Sequence, residues 1–569
     1  MIKPRTFGFL ALLAVAAGAG LRGPPVLDGD AREYILQTQA IVFDQSLRID
    51  PAARRMYWNA TNPFGAVLGE TRPPAGPLAE SAQAGGGFGG LYPDRRGHYR
   101  YYHFWLYSAI VAPLYGLFHL LDPAGALEYY SFRVINVLLL LAFLGLAWRR
   151  AAGGPALAAL ALLLASPLIP YCDWAHPEIF CLASVFAAFH FADRPKGRLA
   201  APLLLGLAAS LNPPILFFFP ALFLLAAAAP DRPLRQTPVR FGAAFALGGG
   251  LALSSMAYFL LVFGAPSVIS RVGLASLAYA SPARALDLFF NPFIGAFWFF
   301  PLPFLALPAF FRRGQRLAAA VLLAGVGAAA GLCSATANFN AGQIGASRYA
   351  IWLLAPLWFA LFQRLPRRFH AAPAGLAWTT ALLLNVAAAV HFRTLPLLAK
   401  EIDRFRCAWR ARSEVAALLR ALPFAGDAEV LAENILGAEL PHPGRFRDVY
   451  VWDLGHDRHL WLLPERALAR GEPIFLRPAD PRAFSIAAAP AQPLPLQAQG
   501  DLLRLQFSRE ALPRLRRHPV LGGYLVLRSH GRIESLATRL PLRLRSQSIA
   551  RAEPPDAPRP AEPRTPETP

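Results

Sequence analysis

Apolar residues in this chain arrive in long runs, such as Ala156–Ile169, Phe241–Phe263 and Leu317–Leu332. They do not follow the alternating or 3.6-residue spacing of a half-buried strand or helix. A bilayer core takes about 20 apolar residues per helix, within a range of roughly 17–25. The runs predict spans near 7–21, 131–148, 155–171, 178–192, 199–210, 214–229, 240–263, 293–311, 317–334, 348–364 and 372–392, about 11 in all. Asn212-Pro213-Pro214 interrupts the pair 199–210 and 214–229, which reads as two short spans or one broken one. Proline removes a backbone donor and kinks a helix.

The polar connections sort by charge. Arg149-Arg150, Arg194/Lys196/Arg198, Arg232/Arg235/Arg240, Arg312/Arg313/Arg316 and Arg364/Arg367/Arg368 fall on one side of the membrane. Loops 172–177, 211–213 and 335–347 fall on the other and carry no Lys or Arg, while the longer 264–292 holds only Arg271 and Arg284. The excess of basic residues marks the cytoplasmic side. Lys3 and Arg5 put the N-terminus there too, and reading 7–21 as a signal peptide leaves the topology unchanged. Segment 103–121 is apolar enough to span, but a crossing would carry Arg149-Arg150 outside. Its Trp, Tyr and His content instead suits an interfacial or re-entrant helix. Residues 22–130 then form the first extracytoplasmic loop, with interfacial helices, and the tail after His391 is extracytoplasmic.

Composition agrees with a membrane chain. Of the 569 residues 55% are hydrophobic and 16% charged, against about 25% charged in soluble domains. The net charge of +21 would suit a nucleic-acid partner, but the arginines cluster between apolar runs and across the C-terminal third. That placement orients a membrane protein and attracts anionic lipid, so membrane lipids are expected partners and nucleic acid is not. Cys172, Cys181, Cys333 and Cys407 form no metal-ligand spacing and read as small buried residues.

The expected fold is therefore an all-α polytopic membrane domain over 1–394, followed by a small soluble α/β or β-rich domain over 395–550. Strand-like pieces such as Val449-Tyr450-Val451-Trp452 and Tyr524-Leu525-Val526-Leu527 carry the second part. Residues 551–569 are Pro-rich and expected to be disordered.

Polar chemistry gathers at the extracytoplasmic ends of the runs. Asp28-Gly29-Asp30-Ala31-Arg32-Glu33-Tyr34 follows the first run and leads into an amphipathic stretch. Its carboxylates could share a divalent cation or supply a base. Equally, Asp30 as N-cap and Glu33 three residues on could form a capping box. Tyr92 to Trp105 mixes aromatics with Arg100 and His103, which suit either a phosphate or an aromatic belt. Asp173-Trp174-Ala175-His176-Pro177-Glu178 places Pro177 at N1 and Glu178 in a first helical turn, which leaves Asp173 and His176 unexplained. Asn338 to Tyr349 is a polar, glycine-containing loop ending in Arg348, either a phosphate fork or a snorkelling anchor. No zinc motif, Walker loop or nucleophile elbow is present.

An N-terminal span, a long outer loop opening with an acidic motif and many further spans resemble the GT-C superfamily of glycosyltransferases. The protein mannosyltransferases and the lipid A aminoarabinose transferases belong to it. The resemblance rests on Asp28-Gly29-Asp30 with Glu33-Tyr34, the stretch Tyr99–Phe118, Ser131-Phe132-Arg133-Val134-Ile135-Asn136 and the Gly342–Tyr349 segment. It implies an enzyme of the cell envelope that takes sugar from a polyprenyl-phosphate donor, set in a bacterial inner membrane with its C-terminal domain periplasmic. It also implies that Asp28 or Asp30 is the catalytic acidic residue, which deprotonates or orients the acceptor hydroxyl; by their spacing, a divalent cation, if used, sits on those two. Arg348, Arg100 and His103 become cations for the departing phosphate, with His176 and Glu178 lining the sugar pocket. The aminoarabinose branch carries a Lys-Pro-Pro-Leu segment where this chain reads Tyr102-His103-Phe104-Trp105-Leu106, so that lysine has no counterpart. The alternative is a non-catalytic transporter or a scaffold for polysaccharide assembly, to which only the Asn212-Pro213-Pro214 break and Arg133 point.

Overall fold

The computed structural model describes residues 4–27, 30–62, 90–151, 154–164, 166, 168–194, 197–227, 238–272, 275–277, 280–291, 294–305, 316–336 and 347–364, together with strands and turns between 449 and 551. Asp28, the loop 337–346, the expected span 372–392, residues 395–448 and the tail 552–569 lie outside the described residues. The chain forms two compact units, Met1–Val430 and Leu431–Pro569.

The first unit is helical. Among the described residues three helices, Leu127–Ala151, Pro238–Phe263 and Arg316–Cys333, are long and apolar enough to cross a bilayer. Six more apolar helices, including Arg5–Gly20 and Glu178–Ala192, run 10–17 residues. Several expected spans are broken, and prolines mark the breaks. The described part of the run 155–171 holds two helices, Gly154–Leu164 and Leu168–Cys172. The described part of 293–311 holds two short helices, Ala296–Phe299 and Pro301–Leu305. The segment 348–364 turns between Arg348–Leu353 and Ala355–Arg364, beside Pro356. After Asn212 the chain runs as a 3-10 turn, Pro213–Phe218, before Phe219–Ala227. Each proline lacks the N–H that would continue the helix and crowds the preceding turn.

Helix Pro238–Phe263 packs on Ala200–Leu211 through glycines. A Cβ on Gly206 would overlap the Gly248 carbonyl, and one on Gly248 would overlap the Pro202 carbonyl. Small residues allow the backbones to touch, which matters where lipid is as apolar as a leucine and offers no hydrophobic drive to associate. The other side of Pro238–Phe263 leaves Val239, Leu247, Leu253, Leu260 and Leu261 exposed. An exposed apolar face on a helix long enough to cross a bilayer suits contact with acyl chains.

Segment 22–130 contributes helices Ala31–Asp44, Pro51–Thr61 and Leu106–Leu121 and a hairpin of β1 (Leu91–Pro93) and β2 (Tyr99–Tyr101). The amphipathic stretch expected after Asp30 is not one at its start. Glu33 to Ala40 are all buried, and helix Ala31–Asp44 lies inside the protein. Its polar side chains find partners there. Ser108 Oγ donates to Gln37 Oε1 (2.9 Å), Gln37 Nε2 to the His103 carbonyl (3.3 Å), Thr38 Oγ1 to the Tyr34 carbonyl (2.8 Å) and Gln39 Nε2 to the Tyr115 hydroxyl (2.9 Å). Helix Leu106–Leu121 supplies much of that lining with Tyr107, Ser108, Val111, Ala112 and Tyr115, and leaves Leu117, Leu120 and Leu121 exposed at its end.

Arg133 ties this loop to the helices. Fully buried in the first turn of Ser131–Ala151, it donates to Asp173 Oδ1 (Nε, 2.8 Å) and to the carbonyls of Arg22 (3.1 Å), Gly23 and Pro24 (3.0 Å). A planar five-donor fork suits such a convergence of carbonyls. Asn136, one helical turn on, donates to the Trp174 carbonyl (3.0 Å) and accepts from the Tyr107 hydroxyl (2.6 Å). Cys172, Cys181 and Cys333 are free and buried.

The second unit carries only strands among its described residues. A six-stranded sheet runs β12 (Leu542–Arg545), β3 (Val449–Asp453), β4 (Arg458–Pro464), β10 (Tyr524–His530), β6 (Ser485–Ala488), β7 (Gln492–Pro493). A five-stranded sheet runs β13 (Ala550–Arg551), β11 (Ile533–Thr538), β5 (Ile474–Pro478), β9 (Leu502–Leu505), β8 (Gln497–Gln499). Alternate residues from both sheets, Val449/Val451, Trp461/Leu463, Ile474/Leu476 and Leu503/Leu505, form one apolar core. The period of two puts each pair on one face of its strand.

Gly248→Val is expected to separate the two helices, because the overlapped atoms are backbone and cannot rotate away. Overpacking of this kind costs about 1–3 kcal/mol. A lower Tm in detergent for Gly248→Val, with Gly249→Val near wild type because nothing lies within 4 Å of that position, checks it.

Candidate active site

Asp30 is the meeting point of four segments. It stands before helix Ala31–Asp44 with helical backbone angles (φ −59, ψ −18), and its side chain makes no capping hydrogen bond. The capping box with Glu33 therefore does not form. A capping residue needs extended angles to aim its oxygen at the N2 or N3 amide. With helical angles the Asp30 carboxylate points away from the helix, towards stronger partners.

Chief among these is Arg348, 318 residues away in sequence, whose Nη1 lies 2.5 Å from Asp30 Oδ2. Arg348 opens helix Arg348–Leu353, and the preceding Ser347 amide donates to the Ile294 carbonyl (2.9 Å). The same Nη1 is 3.1 Å from His176 Nε2, and the guanidinium lies over the Trp174 and Tyr349 rings at 5.9 and 5.4 Å. His176 Nε2 approaches Asp30 Oδ2 at 3.3 Å, and its Nδ1 approaches Glu178 Oε1 at 3.2 Å. Trp174 stacks on the His176 ring at 4.2 Å. The loop that carries Trp174 and His176 is held by Asn136 and by the Val26 amide, which donates to the Asp173 carbonyl (2.8 Å).

His103 completes the group from the strand side. Its Nε2 is 3.1 Å from Glu33 Oε2 and 3.6 Å from Asp30 Oδ2. Tyr34 stacks on it at 4.7 Å and meets His176 edge-on at 5.3 Å, so this one ring sets both imidazoles. Gly90 lies against the Glu33 carboxylate, where any Cβ would overlap it, and has φ +75. The site is graded in depth. The side chains of Asp30, Arg348 and His103 are 21%, 17% and 14% exposed, while that of Glu178 is 1% exposed. A substrate would therefore reach Asp30, Arg348 and His103 first.

Burial raises the proton affinity of Asp30, but Arg348, with His103 and His176 behind it, outweighs burial and holds the carboxyl well below the usual range. Burial pushes Glu33 up to about 7, against the pull of His103. Burial works against a charged His103, yet Glu33 and Asp30 prevail and raise it to about 9. At neutral pH the resting site thus holds an ionised Asp30 between Arg348 and a protonated His103.

Of the residues singled out in the sequence, Asp30, Glu33, Tyr34, His103, His176, Glu178 and Arg348 come together. Arg100 does not join them: its Nε donates to Asp94 Oδ2 (2.9 Å), and Asp94 also accepts from the Arg96 and His98 amides. It closes the β1–β2 turn. Asp28 is outside the described residues, so the expected Asp28/Asp30 cation pair has no geometry to assess. The donors within metal-binding range are instead Asp30, Glu33 and His103, whose ligand atoms all lie within 4.8 Å of one another. Gly90, Trp174 and Asn136 were not foreseen as parts of the site. Gly90 is concealed at the end of the glycine-rich stretch 85–90, and the Trp174 and Asn136 contacts need the fold to appear.

Gly90→Ala is expected to destabilise more than Gly97→Ala. Both positions have positive φ, but nothing lies within 4 Å of a Cβ at 97, so that variant bears only the left-handed cost of about 1–2 kcal/mol. A lower Tm for Gly90→Ala than for Gly97→Ala, in the same detergent, is the check. No protein-family model, no curated protein and no solved structure matches this chain.

Proposed function

We propose that this chain is an integral membrane glycosyltransferase that moves a sugar from a polyprenyl-phosphate donor to an extracytoplasmic acceptor, with Asp30 as the residue that takes the acceptor proton. The observation that carries it is the Asp30–Arg348 contact at 2.5 Å inside a cluster with His103, Glu33, His176 and Glu178. The segments that build this cluster are those that the arginine pattern assigns to one side of the membrane, which supports a site at the lipid headgroups. The proposed location is a bacterial inner membrane, with the site and the second unit on the periplasmic face.

In the proposed reaction the acceptor hydroxyl oxygen attacks the anomeric carbon. Its proton passes to an Asp30 oxygen, the bond from the anomeric carbon to the phosphate oxygen breaks, and its electron pair leaves with the phosphate. Proton transfer to a positioned base contributes about 10²–10⁴-fold. A carboxylate held far below its usual range is a weak base, so the resting pair is not yet the working one. Arg348 forks onto phosphate oxygens as readily as onto carboxylate. A donor phosphate that draws Arg348 away leaves Asp30 more basic, which couples donor binding to activation of the base.

Asp30→Asn keeps the size of the side chain and removes the base. Sugar transfer from a polyprenyl-phosphate donor is expected to fall by about 10²-fold or more, at unchanged expression and elution volume. Arg348→Gln is expected to weaken donor use as well. Full transfer by Asp30→Asn would end this reading.

A further inference from the structure

The geometry points to a divalent transition-metal site formed by Asp30, Glu33 and His103, with Mn²⁺ or Zn²⁺ as the class of ion. This inference rests on the reading of the cluster as an active site and adds to it an ion that none of the residues requires by itself.

Distances come first. Metal–oxygen and metal–nitrogen bonds of about 2.0–2.2 Å put neighbouring ligand atoms roughly 3.0–3.5 Å apart for octahedral or tetrahedral angles. His103 Nε2 lies 3.1 Å from Glu33 Oε2 and 3.6 Å from Asp30 Oδ2, close to that spacing before any adjustment. The second observation concerns alignment. Glu33 Oε2 and His103 Nε2 are sealed from solvent, and neither makes a hydrogen bond. They meet at hydrogen-bonding distance without hydrogen-bonding direction. Two buried polar atoms left in this way are costly unless a third body satisfies both. An ion on their lone pairs would do so.

The donor set selects the ion. One imidazole with two carboxylates favours Mn²⁺ or Zn²⁺ over Mg²⁺ and Ca²⁺, which prefer all-oxygen shells. Gly90 contributes by omission: any side chain there would displace the Glu33 carboxylate from His103.

The test uses the full chain without a histidine tag, purified in detergent, stripped with EDTA and desalted. Mn²⁺ alone is titrated, and the free-ion EPR signal is followed. One bound Mn²⁺ per chain is expected, displaced by Zn²⁺, with binding weakened at least about tenfold in both Glu33→Gln and His103→Gln. Mn²⁺ should also raise the Tm of the wild type and leave that of each variant unmoved, as expected for a ligand that binds only the folded site. The Tm comparison also reveals any variant that fails to fold, and Glu33→Asp then replaces Glu33→Gln as a variant with a shortened ligand. Absence of stoichiometric binding in the wild type, or binding of unchanged strength in either folded variant, overturns the site. Sugar transfer by a metal-free wild type would overturn it too while leaving the transferase reading intact. Full transfer by Asp30→Asn would remove that reading and leave the Mn²⁺ titration to stand on its own.

Discussion

A carboxylate near the start of the chain and a guanidinium 318 residues later hold each other at 2.5 Å in a part of the protein where both side chains are mostly shielded from water. Removing one partner of such a pair leaves the other charge uncompensated. The requirement reaches well beyond the two residues. Arg348 must start its helix where Asp30 ends the entry loop, so the Ser347 amide is fixed to Ile294 and the entry loop is fixed by Arg133. His176 can stand between Asp30 and Glu178 only because Trp174 and Tyr34 hold its ring.

Around this pair the protein gathers an unusual amount of polar material inside an apolar chain. Helix Ala31–Asp44 buries glutamine, threonine and glutamate side chains in consecutive turns. The cost is offset because Ser108, Tyr115 and the His103 carbonyl come from the neighbouring segment at matching heights. The cluster then behaves as a single electrostatic unit. The protonation of His103, the raised Glu33 and the depressed Asp30 are one set of charges viewed from three positions. A ligand that takes Arg348 or replaces the His103 proton therefore changes all of them together.

The prolines that break several apolar runs belong to the same account. An unbroken apolar helix of about 20 residues carries its ends to opposite faces of a bilayer. A broken one turns within it, at the cost of backbone groups that must be satisfied inside protein. Helix Arg348–Leu353 is one of the short pieces produced in this way, and its first residue is the arginine of the site.

Much could be read from the residues in order. Long apolar runs with arginines between them specify a chain that is mostly helical with membrane-spanning helices, because each peptide group in lipid must be satisfied within its own segment. The β-branched and aromatic run Val449-Tyr450-Val451-Trp452 specifies a strand for the equally local reason that such side chains fit a pleated surface. Asp30, Glu33, His103, His176, Glu178 and Arg348 stood out as polar groups at the ends of apolar runs. Their roles did not. Asp30 and Glu33 have the spacing of a helix cap, and only the positions of Arg348 and His103 turn their carboxylates away from the backbone. Arg100 has the look of a phosphate ligand, and only the fold gives it to Asp94. Charge, hydropathy and local propensity act over a few residues and are written along the chain. The choice among competing partners for a buried charge depends on distances between segments hundreds of residues apart, and those exist only once the helices have packed.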